Sequence, residues 1–177
     1  MKIFGLAGWS GSGKTTLVAK LLPELRGRGL SVSTLKHAHH AFDVDQPGKD
    51  SYRHRAAGAV EVMVASAHRW ALMHELRGAP EPSVEDLLAH MSPVDLVLIE
   101  GFKAHAHDKL EIFRSDGDNP LLCLSDRRVV AVASDLPPAA LKARGVELPV
   151  LDIDDPSAIA DFIVRHLSLA RPRRGVA

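Results

Sequence analysis

The stretch GLAGWSGSGKTTLVAKLL, Gly5 to Leu22, constrains the fold of this chain more than any other. It carries G-x-x-x-x-G-K-T from Gly8 to Thr15, a pattern that wraps phosphates only where a strand runs into it and a helix leaves it. Both contexts are present. KIFGLA (2–7) is a short apolar run ending next to glycine, suited to a buried strand. After Gly13, the apolar residues Leu17, Val18, Leu21, Leu22 and Leu25 recur at helical spacing. Pro23 falls inside that pattern and is expected to kink or restart the helix. Glycines at 8, 11 and 13 let the backbone turn tightly with its N–H groups inward, and the helix N-terminus adds partial positive charge. Gly8, Gly11, Ser12, Gly13, Lys14, Thr15 and Thr16 are therefore the candidate nucleotide-binding residues. Lys14 is expected on the β- and γ-phosphates, the Thr15 hydroxyl on Mg²⁺, and Thr16 near the α-phosphate.

The remaining pattern alternates strands and helices. LSVSTLK (30–36), VDLVLIEG (94–101), LEIF (110–113), RVVAVAS (128–134) and LPVLDI (148–153) read as strands. SVEDLLAHM has the capping-box pair Ser83 and Asp86, and PSAIADFIVRHL opens with a proline, so both read as helices. VEVMVA and RWALMHEL, either side of Ser66 to His68, read as an antiparallel hairpin. The expected architecture is α/β: a three-layer fold with a mostly parallel sheet, helices on both faces and an inserted β-hairpin. Residues 1–168 are expected to form a single nucleotide-binding domain, and the basic stretch 169–177 a flexible tail.

Lys plus Arg balances Asp plus Glu at 22 each, so nothing global favours nucleic acid or a charged membrane. No segment approaches the roughly 18 apolar residues of a membrane span. The single cysteine, Cys123, excludes an internal disulfide and suits a reducing compartment. The chain reads as cytoplasmic, with Cys123 as a buried, inert thiol.

A phosphate loop needs a carboxylate at the end of a neighbouring strand to hold Mg²⁺, directly or through water. Glu100, after four apolar residues and before a glycine, is that candidate; its length favours contact through water. Asp95, at the start of the same strand, lies about 16 Å away at about 3.3 Å per residue, at the wrong end of the sheet. The long loop after the second strand supplies Asp43, Asp45, Lys49 and Asp50, and such loops emerge on the ligand-binding edge of a parallel sheet. Asp45 or Asp50 can position Mg²⁺ or the attacking water; equally, Asp50 can cap the helix beginning at Ser51. Asp45, Asp50 and Glu100 are the candidate catalytic residues, and Thr15 and Glu100 the candidate metal ligands. Asp135, closing VVAVASD, is placed either to accept both guanine N–H groups or simply to form the turn before Leu-Pro-Pro. His37, His39, His40, His105 and His107 leave three readings open: phosphate or substrate contacts, surface residues, or metal ligands short of a full set.

Together, GWSGSGKTTL, KHAHHAFDVDQPGKDSYRHRAAGA, LVLIEGFK and KLEIFR resemble the MobB family of molybdopterin-guanine dinucleotide biosynthesis adapter proteins, from residue 2 to about residue 165. The resemblance implies a P-loop GTP-binding fold related to the signal-recognition and metallochaperone GTPases. It implies GTP and Mg²⁺ as cofactors, slow hydrolysis and a homodimer. It also implies action beside MobA, the guanylyltransferase that joins GMP to molybdopterin. By position it places phosphate binding on Gly11, Gly13, Lys14, Thr15 and Thr16, and Mg²⁺ and water on the 43–50 loop and Glu100. Ala38 stands where relatives often carry a polar or acidic residue, which weakens a metal site at the first histidine cluster. A dimer would suit the 60–76 hairpin, where Trp70 and Met73 bury either against a partner or within the monomer. The competing functions are a small-molecule kinase or ATP-dependent ligase, using Lys103, His105, His107 and Lys109 as a lid, and a nickel- or zinc-loading chaperone. No arginine finger in cis is evident beyond Arg53 and Arg55.

Overall fold

The protein is described from a computed structural model covering residues 1–38, 42–116 and 119–169. The chain divides into two compact units, one built from Met1–His37 and the residues from Ser92 onward, the other from Ala38–Met91.

The first unit is built on β1 (Lys2–Ala7), β2 (Val32–Lys36), β5 (Leu96–Glu100), β6 (Lys109–Phe113), β7 (Val129–Ser134) and β8 (Val150–Asp152). They form one sheet in the order β2-β5-β1-β6-β7-β8, and every neighbouring pair is parallel. Strands buried on both faces favour continuous apolar runs, which is why β5 reads LVLI before Glu100. One face packs against α1 (Lys14–Gly27) and α5 (Pro156–His166). Phe4, Leu6, Leu98, Leu110 and Ile112 meet Leu17, Leu21, Leu25, Ile159 and Ile163 there. Each such side chain contributes roughly 1.5–3 kcal/mol on burial. On the other face, Phe113 and Val132 pack with Leu121, Val146 and Leu141 of α4 (Pro138–Lys142). Helices thus flank the sheet on both sides, as the alternating pattern predicts.

Of the kink or restart expected at Pro23, the restart does not occur; the helix runs through it to Gly27. A proline inside a helix costs about 3 kcal/mol. Leu21 and Leu25, either side of it, are both fully buried, while Pro23 itself faces solvent. Core packing therefore overrides the local preference. Arg28 then ties the end of α1 to α5, donating from Nε to Asp161 at 2.9 Å and from Nη2 to Ser157 Oγ at 2.9 Å.

The second unit contains α2 (Asp50–Ala56), the hairpin β3 (Glu61–Ala65) and β4 (Trp70–His74), and α3 (Val84–Ala89). The hairpin is its own two-stranded antiparallel sheet, with Val62 opposite Met73 and Met63 opposite Leu72. α3 starts with the expected capping box: Ser83 Oγ accepts from Asp86 N, and Asp86 accepts from Ser83 N. Asp50, weighed as a helix cap, is instead the first helical residue, with Lys49 at the cap position and no side-chain cap bond. Arg55 holds this unit together. It donates to Asp43 at 2.7 Å and to Glu75 at 3.2 Å, and lies 3.6 Å from Asp45. The hydrogen bond from Asp43, then that from Glu75, raises its pKa above the usual arginine value. A guanidinium clamped this way suits a structural role better than an arginine finger.

Candidate phosphate and cation site

Four strands of the first unit deliver charged residues at their carboxyl ends, the edge where ligands gather in a parallel sheet. β1 runs into the glycine loop, β2 ends on Lys36, β5 ends on Glu100, and β6 is followed by Arg114. In the sheet register Glu100 stands beside both Leu6 and Lys36.

The loop has the shape a phosphate cradle needs. Gly11 and Gly13 take positive φ angles of 79° and 94°, and Gly13 caps α1 in a left-handed conformation. At Gly8 a Cβ would sit 2.6 Å from Ser12 Oγ and 2.7 Å from the Ile112 carbonyl, so only glycine fits. Ser12 Oγ is buried without a hydrogen-bond partner among the described residues. The Lys14 ammonium curls back over the loop, donating to the Gly8 and Trp9 carbonyls at 2.9 and 2.7 Å. Burial lowers its pKa; Glu100 opposes the shift, and Lys103 and Lys36 add to it.

Beside the loop, the Thr15 hydroxyl donates to Glu100 Oε1 at 2.7 Å. The side chain of Glu100 is only 13% exposed. A hydroxyl and a carboxylate are hard oxygen donors, the class that suits Mg²⁺, so these residues fit the cation expected with a nucleotide. What aims Glu100 is the turn after it. Gly101 has φ 95°, and a Cβ there would lie 2.7 Å from His37 Cβ. Phe102 also takes a positive φ of 47°, and its ring packs on His37 with centroids 4.6 Å apart. Strain of this kind marks backbone fixed by its surroundings.

Asp135 follows β7, and both its oxygens accept from Ser115, from N and from Oγ, each at 2.9 Å. Burial opposes its charge, but these bonds, with Arg114 nearby, keep its pKa below the ordinary value. Ser134 Oγ also lies 3.5 Å from Oδ1, so of the roughly four hydrogen bonds a carboxylate accepts, three come from the protein. Asp95, as expected, lies at the other end of β5, accepting from Ser31 N and Oγ at 2.7 and 2.6 Å.

Asp45 and Asp50 belong to the second unit. Asp45 accepts from the Ser51 hydroxyl at 2.8 Å, which ties the loop to the start of α2, and Asp50 is exposed. The histidine readings resolve in part. His39 and His40 lie outside the described residues, as does the tail from residue 170. His107 is neither a surface residue nor a phosphate contact: it is 4% exposed, and its ring packs where Gly5 has no side chain. Lys109, also offered as part of a lid, is 2% exposed and turns inward to Asp126 at 2.9 Å and to the Lys103 and His105 carbonyls. Among the described residues no group of three or more His, Cys, Asp or Glu is placed to hold a metal ion. Cys123 is half-buried rather than buried, and its pKa is pushed up to about 12, by burial first and the Glu111 carboxylate second, which disfavours the reactive thiolate.

Sequence reasoning missed Lys36 and Arg114. The Arg114 guanidinium passes within 3.6 Å of a Cβ built on Gly13. With Trp9, Ser12, Asp116 and Asn119 it lines a cavity of about 250 Å³. The signal was present: each is the first charged side chain at or just past a strand's carboxyl end.

A family model described as molybdopterin guanine dinucleotide synthesis protein B matches residues 3–135. The molybdopterin-guanine dinucleotide biosynthesis adapter protein of Escherichia coli (strain K12) is 45% identical over 168 residues, 93% of each chain. The protein of the same name from Haemophilus influenzae is 42% identical, covering 93% of this chain and 89% of its own. The crystal structure of Bacillus subtilis MobB superimposes with a TM-score of 0.72 at 26% identity, over 94% of this chain and 98% of that one.

Proposed function

The chain belongs to the MobB family, as an adapter protein of molybdopterin guanine dinucleotide biosynthesis, and on that premise we propose that it works as a slow GTP-dependent switch. The observation that carries this reading is the convergence of Lys14, Thr15 and Glu100 beside a glycine loop. Gly8, Gly11, Ser12, Gly13, Lys14, Thr15 and Thr16 hold the phosphates. Thr15 and Glu100 hold Mg²⁺, which neutralises charge on the β- and γ-phosphates. Asp135 reads guanine with what remains of its acceptor capacity. Asp45 or Asp50 orients the attacking water when GTP is bound. Hydrolysis is slow because Arg55 is committed to Asp43 and Glu75.

The partner is a molybdopterin guanylyltransferase of the MobA kind, acting on molybdopterin or its cofactor form in the cytoplasm. No described helix is long and apolar enough to cross a membrane. A second copy of this chain covers the hairpin. Trp70 and Met63 are 62% and 61% exposed, and with Leu72 they share one face; Met73, first considered beside Trp70, turns to the opposite face with the buried Val62.

The test is association with a guanylyltransferase measured by sedimentation, with GTP, GDP or no nucleotide. Association that strengthens with GTP and Mg²⁺, and fails for Lys14→Ala, is the expected result. Association indifferent to nucleotide in every case would refute the switch.

A further inference from the structure

Lys36 has no role in the reading so far, yet it lies at the centre of the proposed cation site. Its ammonium donates to Thr15 Oγ1 at 3.2 Å and lies 3.4 Å from Glu100 Oε1. Those two oxygens are the pair proposed to hold Mg²⁺. An ammonium and a divalent ion repel at such distances, so Lys36 must stand elsewhere when the metal is bound. It can move, because its side chain is 57% exposed.

The surroundings determine where it goes. Lys36 and Glu100 are register partners at the ends of neighbouring strands, so the lysine stem starts on the Glu100 side of the loop. Arg114, after β6, approaches Gly13 from the opposite side, because β1 lies between β5 and β6 in the sheet. On the Thr15 side, Thr15 and Glu100 would hold Mg²⁺, which would neutralise charge on the β- and γ-phosphates. Lys14 serves the β- and γ-phosphates from within the loop, and Lys36 approaches from beside it. Lys36 and Lys103 both bear on Lys14 as like charges, and Glu100 is the carboxylate that opposes them. Lys14 thus has two like charges and one carboxylate bearing on it, which leaves positive charge for an anion to match.

We infer that Lys36 is a second phosphate-binding lysine, one that contacts the terminal phosphate of a nucleoside triphosphate and finds no partner on a diphosphate. This rests on the nucleotide reading above, and makes β2 the element that distinguishes the two nucleotide states.

The experiment is calorimetric titration of GTP and of GDP, each with Mg²⁺, into the wild type, Lys36→Ala and Lys36→Arg, with circular dichroism to verify folding. Lys36→Ala is expected to lose about 10-fold or more in GTP affinity, the scale of a charge-assisted hydrogen bond, with GDP affinity changed by less than about 2-fold. Lys36→Arg should keep most of the GTP preference. A lysine that only neutralises Glu100 would change both affinities equally or neither, and either result overturns the inference. If Lys36→Ala does not fold, Lys36→Met, which keeps the aliphatic stem, replaces it with the same expectations. A wild type that binds neither nucleotide would bring down the nucleotide reading and this inference together. A wild type that binds both, with the variant unchanged, would bring down this inference alone.

Discussion

Acid is expected to destabilise this protein through His107 before most carboxylates titrate. The imidazole is buried; its Nδ1 lies 2.7 Å from Nδ1 of His105, and its Nε2 has no hydrogen-bond partner among the described residues. Two nitrogens at that distance share one proton, so one ring must accept. Burial is the main cause that lowers the pKa of His107 from 6.5 to about 4, and Lys109 and His105 add to it. The folded value is depressed, so the associated stability is complete above the unfolded pKa and is lost as pH falls from about 6.5 toward 4. For these two values, the loss between about pH 8 and about pH 5 is about 2 kcal/mol. That is a large share of a typical 5–15 kcal/mol total.

Urea unfolding followed by circular dichroism across this range measures the loss. His107→Asn keeps a donor and acceptor near Nδ1 but cannot take up the proton. The variant will be less stable at neutral pH, because it leaves a cavity, yet its stability should fall by about 2 kcal/mol less on acidification. An identical decline in both proteins would refute the claim that a buried neutral His107 is the source.

Glu111 is fully buried, and its two oxygens accept from Leu122 N and Cys123 N at 2.7 and 2.8 Å. Glu111→Ala strands both donors and should cost about 2–5 kcal/mol, visible as a lowered midpoint in thermal unfolding. Ser83→Ala removes half of the capping box and should cost about 1 kcal/mol in the same assay. Asp135→Asn should weaken GTP about 10-fold while leaving ATP nearly unchanged, measured by competition binding; an unaltered preference would place guanine recognition elsewhere.

The sheet was legible because buried parallel strands leave continuous apolar runs, as in LVLIE and VVAVAS. α1 was legible from Leu17, Leu21 and Leu25, although tertiary burial of that stripe overruled the local penalty at Pro23. α4 (Pro138–Lys142) escaped notice because it is only five residues long and begins among prolines. In the site, Lys14 and Thr15 were readable because a motif fixes their spacing, and Glu100 because it closes an apolar strand. Lys36 was not, since its proximity to Glu100 comes from strand order, and β2 and β5 are neighbours despite the long stretch of sequence between them. The histidines misled for a related reason. H-A-H spacing says nothing about burial, and His107 is inside only because β6 lies next to β1 at Gly5.

The central claim is that this loop binds GTP with Mg²⁺, and calorimetric titration of wild type and Lys14→Ala tests it most directly. The account predicts one GTP per chain, binding that depends on Mg²⁺ and exceeds that of ATP, and a loss of at least about 10-fold in Lys14→Ala. Equal GTP affinity in the two proteins, or no binding by the wild type, would contradict it.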